Sequence, residues 1–440
     1  MTRLLPILLA SAAFATPAAA QTATTPEDIA ALRAQIEALQ AKVGELEAAQ
    51  AATAAKVEAA PGPAAKISWK GAPVIEGDGW SFKPRGRLQY DVGYVGHPDG
   101  YENPGLGFGN EVRRARLGVE GKLPGKFGYK FELDFASGDV EFADAILTYS
   151  PGRWKLTAGQ HNTFQSLEEL TSSLNTSFIE RAAFTDAFNF ERRVGVSAQW
   201  KRNAILAQAG VFTDSIADLN SVGDDNNSHS FDTRLVFMPK MGGNQLHFAG
   251  SFHQRYLKDA ANSVRYRQRP AIHTTDVRFI DTGSIAGARR ETGYGLEAAG
   301  IFGPFYVASE AFWQRVGRDG FPNPTFFGAY ADAGYFFTGE TRGYKDGTFD
   351  RVKVKSPVGK GGWGSLGANV RWDYLNLNDA GILGGKQNAF QLSLNWKPID
   401  YVLFGLNAAH ILYDEAAIAL PNGDRNYSVN VIGLRSQVDF

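Results

Sequence analysis

Alternation of apolar and polar residues is the dominant pattern of the chain from residue 86 onward. Segments such as 87–94, 129–135 and 366–374 carry apolar or aromatic residues at every second position and mostly polar or charged residues between them. A period of two indicates β-strands that have one apolar face and one face in contact with water. Many such strands, with aromatic residues near their ends and proline–glycine turns between them, are typical of a membrane barrel.

Sixteen segments show this pattern, an even number, as in single-chain bacterial barrels. They lie at 86–95, 112–121, 127–136, 142–150, 153–160, 192–201, 204–213, 230–238, 245–256, 289–300, 304–315, 327–337, 364–376, 388–397, 401–412 and 426–440. The longer connections between them are 96–111, 161–190, 257–288, 338–363 and 413–425. The sequence therefore predicts an all-β chain, a sixteen-stranded antiparallel transmembrane β-barrel over 86–440, with short turns at one rim and long loops at the other.

The N-terminal part has a different pattern. Residues 1–20 combine Arg3, a short apolar stretch and three final alanines, which predicts a secretory signal peptide. Over 26–60 the spacing of apolar residues alternates between three and four and predicts a short coiled-coil helix. The seam consists of Ile29, Leu32, Ile36, Leu39, Val43 and Leu46. An amphipathic helix packed on its own domain is the alternative, and residues 61–85 are predicted to be a linker.

Composition excludes several classes of function. The 440 residues contain no cysteine, so disulfides, zinc–thiolate sites and cysteine nucleophiles are excluded. A net charge of -1 provides no general attraction to nucleic acid. The histidines form no H-E-x-x-H or H-x-x-x-H pair, and no G-x-S-x-G is present. We therefore expect no catalytic residues, no metal and no cofactor, and we expect outer-membrane lipid and further copies of the chain as partners.

Two stretches of the predicted barrel resemble the phosphate-selective porin O and P family. One is EVRRARL at 111–117 with the strand–turn–strand that follows at 123–149. The other runs from GETRGYKDGTFDRVKVKSPV at 339–358 into 363–398, which contains RWDYLNLND. The resemblance covers nearly everything after residue 80 and also the N-terminal coiled coil. It implies a sixteen-stranded barrel in the outer membrane of a Gram-negative cell, a homotrimer, and passive diffusion of small anions, with phosphate or polyphosphate among them.

Arginines are the candidate groups for such an anion pathway. A guanidinium group stays protonated and offers forked donors to oxyanions, and rows of arginine or lysine make pores favour anions. Arg114 and Arg116 share the polar face of one strand, and Arg265, Arg267 and Arg269 are spaced by two. The candidate anion-pathway residues are Arg113, Arg114, Arg116, Arg181, Arg265, Arg267, Arg269 and Arg371. The alternative for each arginine is that it pairs with a lumen acid and only solvates the wall.

The stretch 161–190 is too long for a plain connection. The resemblance implies that it folds into the lumen as a constriction loop, with Arg181 at a central anion site. The phosphate-selective members carry lysines where this chain has Glu169 and Leu174, so Glu169 is a candidate selectivity-modulating residue. The chain is predicted to be an anion porin and not an enzyme; the alternatives are a general, weakly selective porin for small hydrophilic solutes and an outer-membrane barrel enzyme.

Overall fold

The computed structural model describes residues 26–58, 65–220, 227–258 and 261–440. They divide into two units, one within Met1–Ala64 and one that comprises Ala65–Phe440. The predicted signal peptide at 1–20 lies outside the described residues.

The first unit contains helix α1, Pro26–Glu58, where the heptad pattern predicts a helix. Its described seam residues expose between 45% and 64% of their surface, and they are Ile29, Ile36, Leu39, Val43 and Leu46. The helix thus exposes an apolar stripe, as one helix of a coiled coil would. The coiled coil itself stays a prediction. Within the described residues, no helix combines the length and the apolar character that crossing a bilayer demands.

The second unit is a closed antiparallel barrel of sixteen strands, which confirms the predicted fold class. The strands are β1 Trp80–Val95, β2 Gly107–Leu123, β3 Phe127–Asp134, β4 Glu141–Tyr149, β5 Trp154–Asn162, β6 Arg192–Arg202, β7 Ile205–Phe212, β8 His229–Phe237, β9 Asn244–Tyr256, β10 Ala288–Phe302, β11 Phe305–Arg318, β12 Thr325–Phe336, β13 Ser365–Asp379, β14 Ile382–Ile399, β15 Val402–Asp414 and β16 Tyr427–Asp439. The barrel closes where β16 pairs with β1, from Val431 opposite Val95 to Asp439 opposite Arg87.

The wall has its polar face inside and its apolar face outside. In β1, Gln89 and Asp91 are fully buried, whereas Leu88 and Tyr90 expose 46% and 41% of their surface. A soluble sandwich would bury the apolar face instead. Burial of the charged positions and exposure of the apolar ones is the arrangement that a lipid surrounding requires.

The longest connections follow odd-numbered strands, except for the one after β12, and the connection after β13 is a turn of only two residues. The expectation that 338–363 lies with the other long loops is wrong. This connection, residues 337–364, follows strand β12, and in an antiparallel barrel every connection after an even-numbered strand lies at the rim of short turns. We call 337–364 the turn-rim insertion. It folds back into the barrel, where the Gly347 carbonyl accepts a hydrogen bond from Arg234 at 2.8 Å.

Several short elements complete the fold. The short helices are Leu167–Leu170, Ala183–Ala187 and Ile216–Leu219, with a 3₁₀ turn at Pro124–Lys126. The short strands are Lys66–Trp69, Pro73–Gly77, Lys240–Met241, Ser263–Val264, Arg267–Gln268, Ile280–Asp281, Ile285–Ala286, Gly343–Lys345 and Thr348–Asp350. The first two form a hairpin within the predicted linker 61–85, and strand β1 begins at Trp80, six residues before the predicted start at residue 86.

An aromatic core fills one side of the barrel. Phe184 of the connection 163–191 stacks on Phe312 of β11, with 5.9 Å between ring centres, and on Tyr330 of β12. Tyr266 of the connection 257–287 packs edge-on against Phe188. Because loops and rings occupy the side of β10–β13, the open lumen lies along β1–β7.

Candidate functional site

The connection 163–191, which we call the inner loop, is fixed inside the barrel by acids of the wall. The Glu310 carboxylate accepts hydrogen bonds from the backbone amides of Leu167 at 2.9 Å and Glu168 at 2.7 Å. Asp373 accepts another from the amide of Ala183 at 2.8 Å. The first amides of a helix have no partner within the helix. Strand carboxylates therefore hold the beginnings of two short helices of the inner loop.

Arg371 lies beneath the inner loop with its side chain fully buried. Its guanidinium donates to Glu168 at 2.8 Å and to Asp332 at 2.9 Å. The rings of Phe178 and Tyr330 cover its faces at 4.3 and 4.7 Å. A guanidinium enclosed by two acids and two rings ties the inner loop to β12 and β13.

Arg113 and Arg114 both reach the lumen although they are consecutive. In the pairing of β1 with β2, Gln89 lies opposite Arg114 and Tyr90 opposite Val112, so Arg113 is the extra residue of a β-bulge. Arg114 donates to Gln89 at 3.0 Å. Arg113 makes a forked pair with Glu180 of the inner loop, at 2.9 and 3.2 Å.

Arg116, two residues after Arg114, is compensated by acids of the next strand. It donates to Asp134 at 2.7 Å and to Glu132 at 3.2 Å. Lys130, on the same strand as these acids, pairs with Asp144 of β4. This part of the lumen wall is a row of alternating charges, which holds less net charge than its cations suggest.

Arg181 and Glu169 are neighbours in the inner loop. Arg181 donates to the carbonyl oxygens of Glu168 and Thr171, both at 2.9 Å, and to that of Glu169 at 3.2 Å. Its Nε lies 3.5 Å from the Glu169 carboxylate. Burial raises the pKa of Glu169 above its usual value, against the opposing effect of Arg181. Arg181 therefore caps the short helix and also faces a carboxylate with a reduced tendency to ionise.

Two cavities meet at this pair. The turn-side cavity has a volume of about 340 Å³ and lies along β1–β7, and the loop-side cavity has a volume of about 310 Å³ and lies among the long loops. Both are lined by Glu169, Arg181 and Arg192, so these three side chains form the boundary between them. The charged groups of the turn-side cavity are Arg85, Arg87, Arg114, Arg116, Lys130, Lys155, Arg181, Arg192, Glu132, Asp144 and Glu169. Those of the loop-side cavity are Arg113, Arg181, Arg192, Arg269, Glu169, Glu180, Asp186 and Glu191.

Three cations of the turn-side cavity have no acid partner in the described residues, namely Arg87, Arg114 and Lys155. In the described parts of the chain, no carboxylate lies within 4 Å of the guanidinium groups of Arg87 or Arg114. Arg87 donates instead to the hydroxyls of Ser173 at 2.7 Å and Ser172 at 3.5 Å, both in the inner loop. Arg87 was not among the candidate anion-pathway residues predicted from the sequence. The signal was present, since Arg87 occupies the polar face of the first alternating segment.

The row Arg265, Arg267 and Arg269 is largely occupied by acids or exposed. Arg265 pairs with Asp281 with half of its side chain exposed, Arg269 pairs with Asp276 at 2.7 Å, and Arg267 is exposed. Only Arg269 of the three is among the described residues that line the loop-side cavity. The segment runs antiparallel to 280–286, with Val264 opposite Ile285 and Arg267 opposite Asp281.

A serine and a histidine of the turn-side cavity bear on the enzyme alternative. His161 contacts the Ser197 hydroxyl through Nε2 at 2.8 Å, while its Nδ1 faces the Gly159 carbonyl at 2.9 Å. A Ser–His–Asp triad places a carboxylate at that second nitrogen. The pair has a carbonyl there, so it is not arranged as a triad.

The chain is similar to several known proteins. It is 43% identical to a Caulobacter vibrioides chain described as an uncharacterized protein, over all of this chain and 96% of that one. It is 26% identical to Porin O of Pseudomonas aeruginosa, over 78% of this chain and 85% of that one. The solved structure of an anion-selective porin from Comamonas acidovorans superposes with a TM-score of 0.54 at 11% identity, over 82% of this chain and all of that one. This last likeness concerns the fold.

The family model described as "Phosphate-selective porin O and P" matches residues 82–440, which include the whole closed barrel except its first two residues. The family and the barrel identify an outer-membrane porin of a Gram-negative cell. The resemblance inferred from the sequence is thereby confirmed: the chain belongs to the phosphate-selective porin O and P family.

Proposed function

We propose that the barrel conducts small anions by passive diffusion and that Arg87 and Arg114 contact the ion on the turn side of the boundary. The observation that supports this is that both guanidinium groups line the turn-side cavity without an acid partner in the described residues. An uncompensated guanidinium retains both its charge and part of its donor fork for a passing anion. Ser172 and Ser173 add neutral donors beside Arg87.

In this proposal the other candidate arginines contribute less to anion binding than Arg87 and Arg114. Arg113, Arg181 and Arg269 line the loop-side cavity, where nearby acids offset much of their charge. Arg116 belongs to the paired wall of the turn-side cavity. The remaining candidates contribute least to the pathway, and they are Arg265, Arg267 and Arg371.

The class of solute follows from the boundary between the cavities. The description of the family as phosphate-selective and the name of the anion-selective porin from Comamonas acidovorans support anions as the solutes. Glu169 lies at the boundary and repels a multiply charged anion more than a monovalent one. We therefore propose that chloride-sized anions pass more readily than phosphate or polyphosphate.

We also propose that the protein is a homotrimer to which α1 contributes a coiled coil. The support is the exposed apolar seam of α1, and the family resemblance from which the trimer was expected. Two heptads of strong apolar contacts are short for an independent coiled coil. In this proposal the helix therefore assists an assembly that the barrel also stabilises.

A general, weakly selective porin is the second candidate. It is favoured by the loop-side cavity, which has four basic and four acidic side chains and therefore no excess of either sign. A solute that enters from the loop side would meet little selection there.

Reversal potentials in planar lipid bilayers separate the two candidates. In a KCl gradient we expect the protein to prefer chloride, and we expect Arg87→Gln with Arg114→Gln to lose most of that preference. Arg202→Gln, at an exposed arginine at the end of β6, is the matched control and should behave as the parent. Equal reversal potentials for the parent and the double variant would overturn the anion contact and favour the general porin. Repeating the measurement in potassium phosphate tests the solute class.

A further inference from the structure

A third, small cavity lies where three parts of the barrel meet. It has a volume of about 30 Å³ and is lined by the inner loop, the turn-rim insertion and the inner faces of β13 and β14. The polar residues that line it are Asn175, Thr176, Arg342, Ser365, Asn369, Asn395 and Lys397. It shares no lining residue with the two cavities of the proposed pathway.

Two buried cations face this cavity. Arg342 and Lys397 are each 7% exposed, and among the described residues neither has a carboxylate oxygen within 4 Å of its charged nitrogens. Asp439, an acid at the same rim, is paired with Arg351. Burial of a charge without a counter-charge is costly, so two such cations that line one cavity require compensation.

The Arg342 side chain is held by several contacts, and its Nε donor is unused. The Arg342 guanidinium donates to the hydroxyl of Ser177 at 3.0 Å and to the carbonyl of Asn175. It lies over the rings of Tyr306 and Phe349, at 4.9 and 4.7 Å. Its buried Nε has no hydrogen-bond partner in the described part of the chain.

We propose that this cavity binds one small inorganic anion, chloride, between Arg342 and Lys397. Its volume exceeds the roughly 10–15 Å³ that a cavity needs to hold one particle the size of a water molecule, which suits a monatomic ion. Both side chains can only donate, and a chloride ion accepts from every direction while it also supplies the missing charge. A water molecule would fill the space and leave both charges uncompensated.

The bound ion would connect parts of the chain that are distant in sequence. The cavity touches the inner loop at 174–176, the turn-rim insertion at Arg342, and β14 at Lys397. Occupancy would hold the insertion against the inner loop and so stabilise the boundary between the two large cavities. This inference does not depend on which solute the pore conducts.

Bromide locates the site directly, because its anomalous scattering distinguishes it from water. Crystals soaked in sodium bromide should show an anomalous peak in contact with the Arg342 Nε and the Lys397 Nζ. Crystals of Lys397→Met, which keeps the side-chain length without the charge, should lack the peak. No peak at this cavity in the parent protein would overturn the proposal.

Heat denaturation tests whether the ion stabilises the fold. The Tm of the parent should be roughly 1–3 °C higher in sodium chloride than in sodium gluconate of equal ionic strength, since ligand binding to the folded state raises Tm. Lys397→Met should remove this difference and Lys360→Met, at an exposed lysine of the same insertion, should retain it. The difference should also persist in Arg87→Gln, which separates this cavity from the pathway. Equal Tm values in the two salts for the parent would contradict the proposal.

Discussion

The turn-side and loop-side cavities share one boundary and differ in charge. The turn-side cavity has eight basic and three acidic side chains, whereas the loop-side cavity has four of each. The strands supply most groups of the first and the loops supply most groups of the second. Loop acids such as Glu180 are placed opposite strand arginines, so the loops cancel charge that the wall presents. An arginine count along the chain therefore says little about the field that a solute meets.

Of the substitutions considered, Arg371→Ala should change the boundary between the two cavities most. The substitution leaves Glu168 and Asp332 buried without their counter-charge and releases the inner loop, at a cost of roughly 3–5 kcal/mol. The boundary between the cavities should then open. Single-channel conductance should rise and the heat resistance of the folded protein should fall. Lys386→Ala, at a lysine paired with an exposed acid, is the control and should change neither quantity.

Glu169→Lys should give the boundary an excess of positive charge, as in the turn-side cavity. At an effective dielectric constant near 20, two unit charges about 8 Å apart interact by roughly 2 kcal/mol. Reversal of this charge should raise the preference for chloride several-fold and produce block of chloride current by added phosphate. The measurement is the reversal potential with and without phosphate. Parental values in both conditions would show that Glu169 does not face the permeating ion.

Glu169 and Glu180, two of the carboxylates of the inner loop, should respond differently to acid. Burial raises the pKa of Glu169. Burial acts in the same sense on Glu180, but Arg113 and Arg435 outweigh it and hold the pKa of Glu180 well below its usual range. When the pH is lowered from about 7 to about 5, Glu169 should therefore lose charge before Glu180 does.

Loss of the Glu169 charge leaves Arg181 unopposed at the boundary, so the preference for anions should rise as the pH falls. Reversal potentials at the two pH values measure this, and Glu169→Gln should show the high preference at both. His273 also lines the loop-side cavity, so the comparison is made in a His273→Gln background. A pH response that is the same with and without Glu169 would contradict the assignment.

The smallest effect on the cavities should come from the N-terminal helix. Ile36→Asp with Leu39→Asp places two acids in the exposed seam of α1 and should weaken the proposed trimer. The heat resistance of the oligomer on gels should fall while conductance and reversal potential stay near the parental values. Glu37→Gln, at a neighbouring position outside the seam, is the control. Loss of conductance in the double variant would show that the helix and the barrel do not form separately.

The alternation of residues determined the barrel, because lipid outside and water inside impose a period of two on every strand. All sixteen predicted segments correspond to barrel strands, with shifts at their ends such as the start of β1 at Trp80. The observed strand ends differ from the predicted ones because pairing with a neighbouring strand can extend a strand beyond its alternating part. The spacing of heptads likewise indicated α1 without any tertiary contact.

The roles of individual side chains were decided by the tertiary structure. Period two places Arg114 and Arg116 in the lumen, but only the β-bulge brings Arg113 there as well. It also places Arg371 on the inner face, yet the inner loop covers it with Glu168 and two aromatic rings. Whether a lumen arginine is free depends on residues far away in the chain, because the acid that pairs with it lies on another strand or on a loop that folds into the barrel. The sequence by itself determined which faces are wet, and only the folded chain decided where charge remains uncompensated.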